Sequence, residues 1–259
     1  MARYNKFDKT RDDPYPISRS GIDQFIRDPR TFILQRKYGI KPPSFAPLTL
    51  AIATDHLLKN EFDGYRDKKS TAHPIFEKFG LDVIPYQHPE IETWRSNFKG
   101  ISYLDQATNL EVYGAIDDVW EDINSKELYI VDYKSTSKKD DPDIDTGWGA
   151  SYKRQMDIYQ WLFRKNGFPV SDKGYFLYVN GIKGDNNFFS AHKGYEDVGF
   201  MEFKTTLIPY TGHTDWISDT LVSIKKTLMG DKLPAANKNF DENRYFYERL
   251  ELEQKLGEI

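Results

Sequence analysis

The sequence predicts a mixed α/β fold in which a central β-sheet with an antiparallel meander is flanked by helices. Apolar residues recur with a helical period in the first third of the chain, whereas Val, Ile and Tyr dominate the stretch after residue 100. Another helical stretch then precedes more strand-like segments, an order typical of α/β and α+β domains. The 259 residues contain no internal repeat and no low-complexity linker. We therefore expect one domain, with a helical N-terminal part at about 16–95, a core at about 100–230 and a tail at 231–259.

Hydroxyl caps and prolines set the bounds of the first predicted helices. Ser18 offers an N-cap to a short helix that carries Ile22 and Phe25, and Asp28 followed by proline ends it. Apolar spacing then predicts further helices, and prolines predict loops. The helices are predicted over Thr31–Lys37 and Leu48–Tyr65, and the loops at Pro85 and around His88.

Strand-like composition begins after these helices. The meander is predicted from segments rich in Val, Ile and Tyr, with Asn124 and Ser125 at the last turn. Its strands are Gly100–Leu104, Leu110–Asp122 and Glu127–Lys134. After a polar loop over 138–149 we predict, in order, a helix over Tyr152–Asn166, strands at Tyr175–Val179, Asn187–Ser190 and Phe200–Thr206, a helix around Thr214–Met229 and a last helix near Tyr247–Leu256.

Composition excludes several kinds of site. The chain has no cysteine, so disulfides, thiolate nucleophiles and iron–sulfur clusters are excluded, and any metal must bind oxygen or imidazole. No apolar run approaches roughly 18 residues and the N-terminus lacks an apolar secretory stretch, so we expect a cytoplasmic protein without a membrane anchor, in the host cytoplasm if it is viral. The net charge of −4 argues mildly against a general nucleic-acid coat, although residues 1–45 are locally basic.

The most informative segment is the predicted hairpin that carries Asp117, Asp132 and Lys134. A two-residue turn pairs Asp117 with Asp132, and a four-residue turn pairs it with Lys134. In both registers the three side chains project from one face, because strand side chains alternate with a period of two. Two carboxylates this close repel each other unless lysine or a divalent cation compensates them.

Such a group suits hydrolysis of a phosphodiester. The carboxylates would hold Mg²⁺ or Mn²⁺, and the lysine would orient water or stabilise developing charge. An acidic residue two positions before a lysine is common, however, and Glu202 with Lys204 repeats the pattern in a strand-like setting. A surface ion pair therefore remains the alternative to a catalytic site.

Three ordered motifs carry a family resemblance. They are Gly114-Ala-Ile-Asp117, Val131-Asp132-Tyr-Lys134-Ser-Thr and Gln155-Met-Asp-Ile-Tyr159. Together with the segment from Ser18 to Phe32, this order resembles the PD-(D/E)XK nuclease superfamily, and within it the RecB-like and Cas4-like branch. The resemblance spans about residues 16–180 and implies a restriction-endonuclease-like core.

The resemblance implies roles for individual residues. Asp117, Asp132 and the carbonyl of Tyr133 would bind Mg²⁺ or Mn²⁺, and Lys134 would be the catalytic lysine. Asp55 stands where the branch places a further metal ligand, with His56 as the alternative, because neighbouring helix residues point about 100° apart. The remaining candidates would contact substrate or support the site; they are Gln155, Tyr159, Ser135, Thr136 and His56.

The resemblance also implies partners and leaves alternatives open. Many relatives bind an iron–sulfur cluster through cysteines, which this chain lacks. DNA is the implied substrate in recombination or repair, and any helicase or recombinase partner would be a separate chain because no phosphate-binding P-loop is present. We expect a metal-dependent exonuclease. The alternatives are a site-specific endonuclease and a non-catalytic DNA-binding or assembly module, and a homo-oligomer stays open.

Overall fold

Two mixed β-sheets, flanked by helices, form the framework of the protein in a computed structural model. The structure describes residues 6–41, 46–68, 71–183, 188, 197–237 and 241–257. The mixed α/β prediction is confirmed. The chain divides into two units, one formed by Met1–Phe45, Ser102–Tyr113 and Asp215–Ile259, the other by Ala46–Ile101 and Gly114–Thr214.

The first unit is built around a three-stranded sheet. Its strands are β1 (Tyr15–Ser18), β3 (Ile101–Asp105) and β4 (Leu110–Gly114), in the order β1-β4-β3, with β1 parallel to β4. Helix α1 starts directly after β1, because the Ser18 hydroxyl accepts the Gly21 N–H as an N-cap. The helices of this unit are α1 (Arg19–Arg27), α2 (Pro29–Ile33) with a π-helical turn at Leu34–Tyr38, α7 (Trp216–Met229) and α8 (Asp241–Lys255).

The second unit contains a five-stranded sheet. Its strands are β2 (Val83–Pro85), β5 (Asp118–Asp122), β6 (Leu128–Thr136), β7 (Lys173–Gly181) and β8 (Phe203–Thr211), in the order β2-β5-β6-β7-β8. The helices are α3 (Thr49–Arg66), α4 (Pro74–Lys78), α5 (Ile91–Arg95) and α6 (Gly149–Lys165). All neighbouring strands are antiparallel except β6 and β7, which are parallel and joined through helix α6, as a parallel pair requires.

An aromatic core lies in this second unit. The rings of Phe62, Phe76 and Trp120 pack within 6 Å of one another, and Phe62 also stacks on Tyr133 of β6. Burying such large rings contributes about 1.5–3 kcal/mol each, so this cluster fixes α3 against the sheet. The odd-numbered residues of β6 therefore face α3, and its even-numbered residues face away from it.

Two sequence predictions are wrong in detail. The segment Leu110–Asp122 is two strands in different sheets, because the chain leaves the ladder between Gly114 and Asp118 and the Ile116 N–H bonds to the Trp94 carbonyl instead. Pro85 ends strand β2 and is not in a loop. This strand is at the edge of its sheet, where proline is tolerated.

Part of one prediction cannot be compared. The strand predicted at Asn187–Ser190 lies outside the described residues apart from Phe188. None of the helices among the described residues is both long and apolar enough to cross a membrane.

Candidate active site

The pairing of β5 with β6 brings the predicted acidic residues together. Asp118 pairs with Val131 and Glu121 with Leu128, and the Asp122 N–H donates to the Glu127 carbonyl. This is the register that the two-residue turn predicts, and the alternative pairing of Asp117 with Lys134 does not form. Asp117 immediately precedes β5 and lies at the end of the ladder beside Asp132.

Asp132 lies on β6 with no exposed surface. Its Oδ2 contacts the ammonium group of Lys134, two residues further along the same face. Its Oδ1 is also buried and accepts no hydrogen bond from any described residue. Burying a carboxylate oxygen without a hydrogen-bond donor costs free energy, and a bound cation would offset that cost.

Lys134 is held by three groups. Besides Asp132, its Nζ lies 3.5 Å from Gln155 Oε1 and 4.5 Å from the ring centre of Tyr152, both on α6. Burial by itself lowers the pKa of Lys134, but the carboxylates of Asp132 and Asp117 outweigh burial and raise it above its ordinary value. The lysine is therefore a cation at neutral pH, and its ammonium group can donate hydrogen bonds.

Asp117 is the more accessible carboxylate, with 23% of its side chain exposed. Its Oδ2 accepts the Tyr133 N–H at 2.8 Å, which ties it to β6. Burial and the charge of Asp132 raise the pKa of Asp117 to about 6, although Lys134, Lys59 and the Tyr133 N–H act in the opposite direction. Asp117, Asp132 and Lys134 therefore act on one another electrostatically, since Lys134 contacts Asp132 and Asp117 is bound to the strand between them.

Helix α3 supplies a second lysine that sequence reasoning missed. Lys59 Nζ lies 2.8 Å from Asp55 Oδ2 and 3.7 Å from Asp117 Oδ1, so it bridges the two carboxylates. His56 is exposed and its Nε2 lies 3.2 Å from Asn60 Nδ2, away from this pair. The spacing of four between Asp55 and Lys59 was the available signal, since such residues share a helix face.

Helix α6 brings Gln155 and Tyr159 to the lysine. The Gln155 amide accepts from Lys134 and donates to Tyr159 Oη at 3.2 Å. Both residues are buried, and they lie one helical turn apart. The relay Asp132–Lys134–Gln155–Tyr159 therefore limits the positions that the ammonium group can take.

Ser135 and Thr136 follow the lysine on β6 and line a groove. Ser135 Oγ is hydrogen-bonded to Thr54 of α3, next to Asp55. The groove has a volume of about 430 Å³, and hydroxyl groups line one part of it. Its other lining is apolar and includes Leu48, Leu50, Met201 and Phe203.

A buried charge cluster on the other face of β5 was also missed. Asp118 has no exposed surface, and its carboxylate contacts both Arg66 and Arg95 as well as the Tyr133 hydroxyl. Burial raises the pKa of Asp118, but the two arginines outweigh burial and hold it below its usual range. The sequence signal was a second aspartate directly after Asp117, which in a strand must face the opposite side.

The donor set fits a hard divalent cation. Among the described residues, no cluster of three or more carboxylates and histidines is assembled for a metal. Mg²⁺ does not need one, because it is commonly bound by one or two carboxylates together with waters and substrate phosphate. Asp132 Oδ1 accepts from none of the described residues and Asp117 is partly exposed, so these two residues provide the oxygen ligands that such an ion prefers.

The chain was compared with models of known protein families and with curated proteins. A family model for the PD-(D/E)XK nuclease superfamily matches residues 49–206, a range that contains every polar and charged site residue described above. None of the curated proteins compared with the chain matches it.

Proposed function

The chain belongs to the PD-(D/E)XK nuclease superfamily, and on this premise we propose that it is a Mg²⁺- or Mn²⁺-dependent deoxyribonuclease. We propose further that it acts as an exonuclease in recombination or repair, as a member of the RecB-like and Cas4-like branch that lacks the iron–sulfur cysteines. The ordered motifs around Asp117, Asp132 and Gln155 support the assignment to this branch.

One observation carries the proposal. Asp132 is fully buried, its Oδ2 contacts Lys134, and its Oδ1 has no donor among the described residues. A buried carboxylate oxygen needs a partner, and a bound divalent cation would supply one to Oδ1 while Oδ2 stays with Lys134. A second carboxylate, that of Asp117, is bound to the same strand through the Tyr133 N–H. Two carboxylates at one place favour a cation site and not a surface ion pair.

The proposed ligands are Asp117, Asp132 and the Tyr133 carbonyl, with Asp55 as a further ligand. A cation bound there would polarise the phosphoryl oxygen and lower the pKa of a bound water. Asp55 pairs with Lys59 through Oδ2, so Lys59 would compete with a metal for this carboxylate. Lys59 links Asp55 to Asp117, whereas the exposed His56 contacts Asn60, so we assign His56 an outer substrate contact.

Lys134 provides the positive charge for the reaction itself. Its raised pKa keeps it protonated, so it can donate a hydrogen bond to the oxygen on which negative charge develops. Gln155 and Tyr159 keep the ammonium group in place. Ser135 and Thr136 supply hydroxyl groups to the groove beside the lysine, where we place the DNA strand.

A cleavage assay with two DNA topologies tests this function. Wild type should shorten end-labelled linear DNA in Mg²⁺ or Mn²⁺, leave covalently closed circles intact, and lose activity in EDTA. Asp132→Asn should reduce the rate at least about 100-fold, whereas Glu202→Gln, in the exposed copy of the acidic-x-Lys pattern, should cleave like wild type.

Each other result has a defined meaning. Discrete fragments from circular DNA would identify an endonuclease. DNA binding without cleavage in either metal would identify a binding module. Equal rates for Asp132→Asn and wild type would refute the proposed active site.

A further inference from the structure

Arg95, at the end of α5, connects directly to the main chain at the candidate site. Its Nε donates to the Asp117 carbonyl oxygen at 3.1 Å. Its Nη2 donates to Asp118 Oδ1 at 2.8 Å, and its Nη1 to the two carboxylate oxygens of Asp63 at 2.8 and 2.9 Å. The planar guanidinium therefore uses all three nitrogens to hold the backbone that carries the Asp117 carboxylate.

Asp118 extends this connection to the neighbouring strand. Its Oδ2 accepts the Tyr133 hydroxyl at 2.7 Å and the Trp120 indole N–H at 3.2 Å. Tyr133 lies between Asp132 and Lys134, and its own N–H donates to Asp117. The same carboxylate thus anchors β6 through a side chain that projects from the face opposite to the candidate site.

Helix α3 is joined to the cluster by residues on one face. Asp63 pairs with Arg95, and Arg66 contacts Asp118. Asp63 and Arg66 lie one and two helical turns after Lys59, on the side of α3 that also carries Asp55. The cluster therefore links the three elements that carry the proposed ligands.

We propose that Arg95 and the Tyr133 hydroxyl, both bound to Asp118, are positioning groups that set the separation of the Asp117 and Asp132 carboxylates and so the affinity for the divalent cation. This inference rests on the proposed function, since it assigns a role to groups that touch neither substrate nor metal. Residues that orient metal ligands commonly change metal affinity by about 10–100-fold when they are altered.

The alternative, a purely structural charge cluster, is tested by Arg66. Arg66 is as buried as Arg95 and contacts the same Asp118 and Asp63. Arg66 lacks the bond on which the inference depends, because no hydrogen bond among the described residues joins it to the Asp117 carbonyl. Lysine keeps the charge at either position but lacks the planar fork with which the three nitrogens of Arg95 bond to Asp117, Asp118 and Asp63.

Titration calorimetry of Mn²⁺ binding without DNA separates the two roles. Arg95→Lys should raise the Kd at least about tenfold, and Arg66→Lys by no more than about twofold, with similar losses in Tm. On β6, Tyr133→Phe should weaken binding about threefold. Tyr129→Phe is its matched control, because within the described part of the chain the Tyr129 hydroxyl bonds only to Asp122 Oδ2, at the far end of the strand.

Every result decides the inference. Equal Kd changes for the two arginine variants, or Kd changes that follow Tm alone, would overturn it. If Arg95→Lys does not fold, the two tyrosine variants decide, and equal Kd values for them would overturn it. A wild-type protein that neither binds Mn²⁺ nor cleaves DNA would refute the proposed function itself, whereas normal wild-type binding with unchanged variants would refute only the positioning role.

Discussion

The Lys59 ammonium lies 3.7 Å from Asp117 Oδ1, on the side of that carboxylate left open by its bond to the Tyr133 N–H. The lysine thus stands in the region where a cation bound by Asp117 would lie. A lysine in that place partly neutralises the carboxylates and competes with a metal for them.

Lys59→Met should therefore tighten Mn²⁺ binding. Removing a positive charge that is 21% exposed beside Asp117 and Asp55 is worth about 1 kcal/mol after solvent screening, or about fivefold in Kd. Calorimetry measures the change directly. Lys126→Met is the control, because Lys126 pairs with Glu121 in an exposed turn and should leave Kd unchanged. Weaker binding by Lys59→Met would show that the lysine supports the site.

Lys134→Met should separate catalysis from metal binding. Loss of the positive donor should lower kcat by about 100- to 1000-fold, while the Mn²⁺ Kd stays equal or improves because Asp132 gains a free oxygen. Lys204→Met is the matched control from the second acidic-x-Lys pattern, where the lysine is exposed and pairs with Asp141. Unchanged kcat in Lys134→Met would exclude a catalytic role for this residue.

Gln155→Leu should lower kcat about tenfold, because the ammonium of Lys134 loses its amide partner. The Mn²⁺ affinity should not change, because the contacts of the Asp117 and Asp132 carboxylates stay as they are. Tyr159→Phe breaks only the outer bond of the relay and should have a smaller effect. Gln160→Leu is the control on the same helix: Gln160 bonds to the Asp172 carbonyl, so it should lose stability and keep kcat. Single-turnover cleavage with saturating metal distinguishes these outcomes.

Asp118→Asn should destabilise the protein by about 3–5 kcal/mol, because Arg66 and Arg95 would keep their charges in a buried setting without the carboxylate. Urea unfolding at neutral pH measures the loss. Asp145→Asn breaks an exposed pair with Lys153 and should change stability by less than about 1 kcal/mol. A loss for Asp118→Asn no larger than that of the control would mean that the cluster does not depend on this charge.

The sequence predicts those contacts of the candidate site that follow from the periodicity of a strand or a helix. In both hairpin registers Asp117, Asp132 and Lys134 share one face, and the structure selects the register that places Asp117 beside Asp132. The four-residue spacing on α6 predicts that Gln155 meets Tyr159. Arg95 was not accessible, because its contact with the Asp117 carbonyl joins a short helix to a strand end 22 residues later. The end of β4 at Gly114 was missed for a related reason. The Ile116 N–H bonds to the Trp94 carbonyl, and this tertiary contact cannot be predicted from the strand-like composition of the segment.

Phe203→Ala should test where the DNA strand lies. Phe203 starts β8 and lines the groove beside Ser135 and Thr136, where an unpaired base would meet an aromatic ring. Stacking of one base on such a ring is worth about 1–3 kcal/mol. We therefore expect the KM for DNA to rise at least about fivefold, with the Mn²⁺ Kd unchanged because the ring contacts no proposed ligand among the described residues.

Phe98→Ala removes an exposed aromatic side chain that does not line the groove, and it should leave KM unchanged. Equal KM values for both variants would place the strand elsewhere, and a changed Mn²⁺ Kd in Phe203→Ala would show that the groove acts on the metal site and not on the strand.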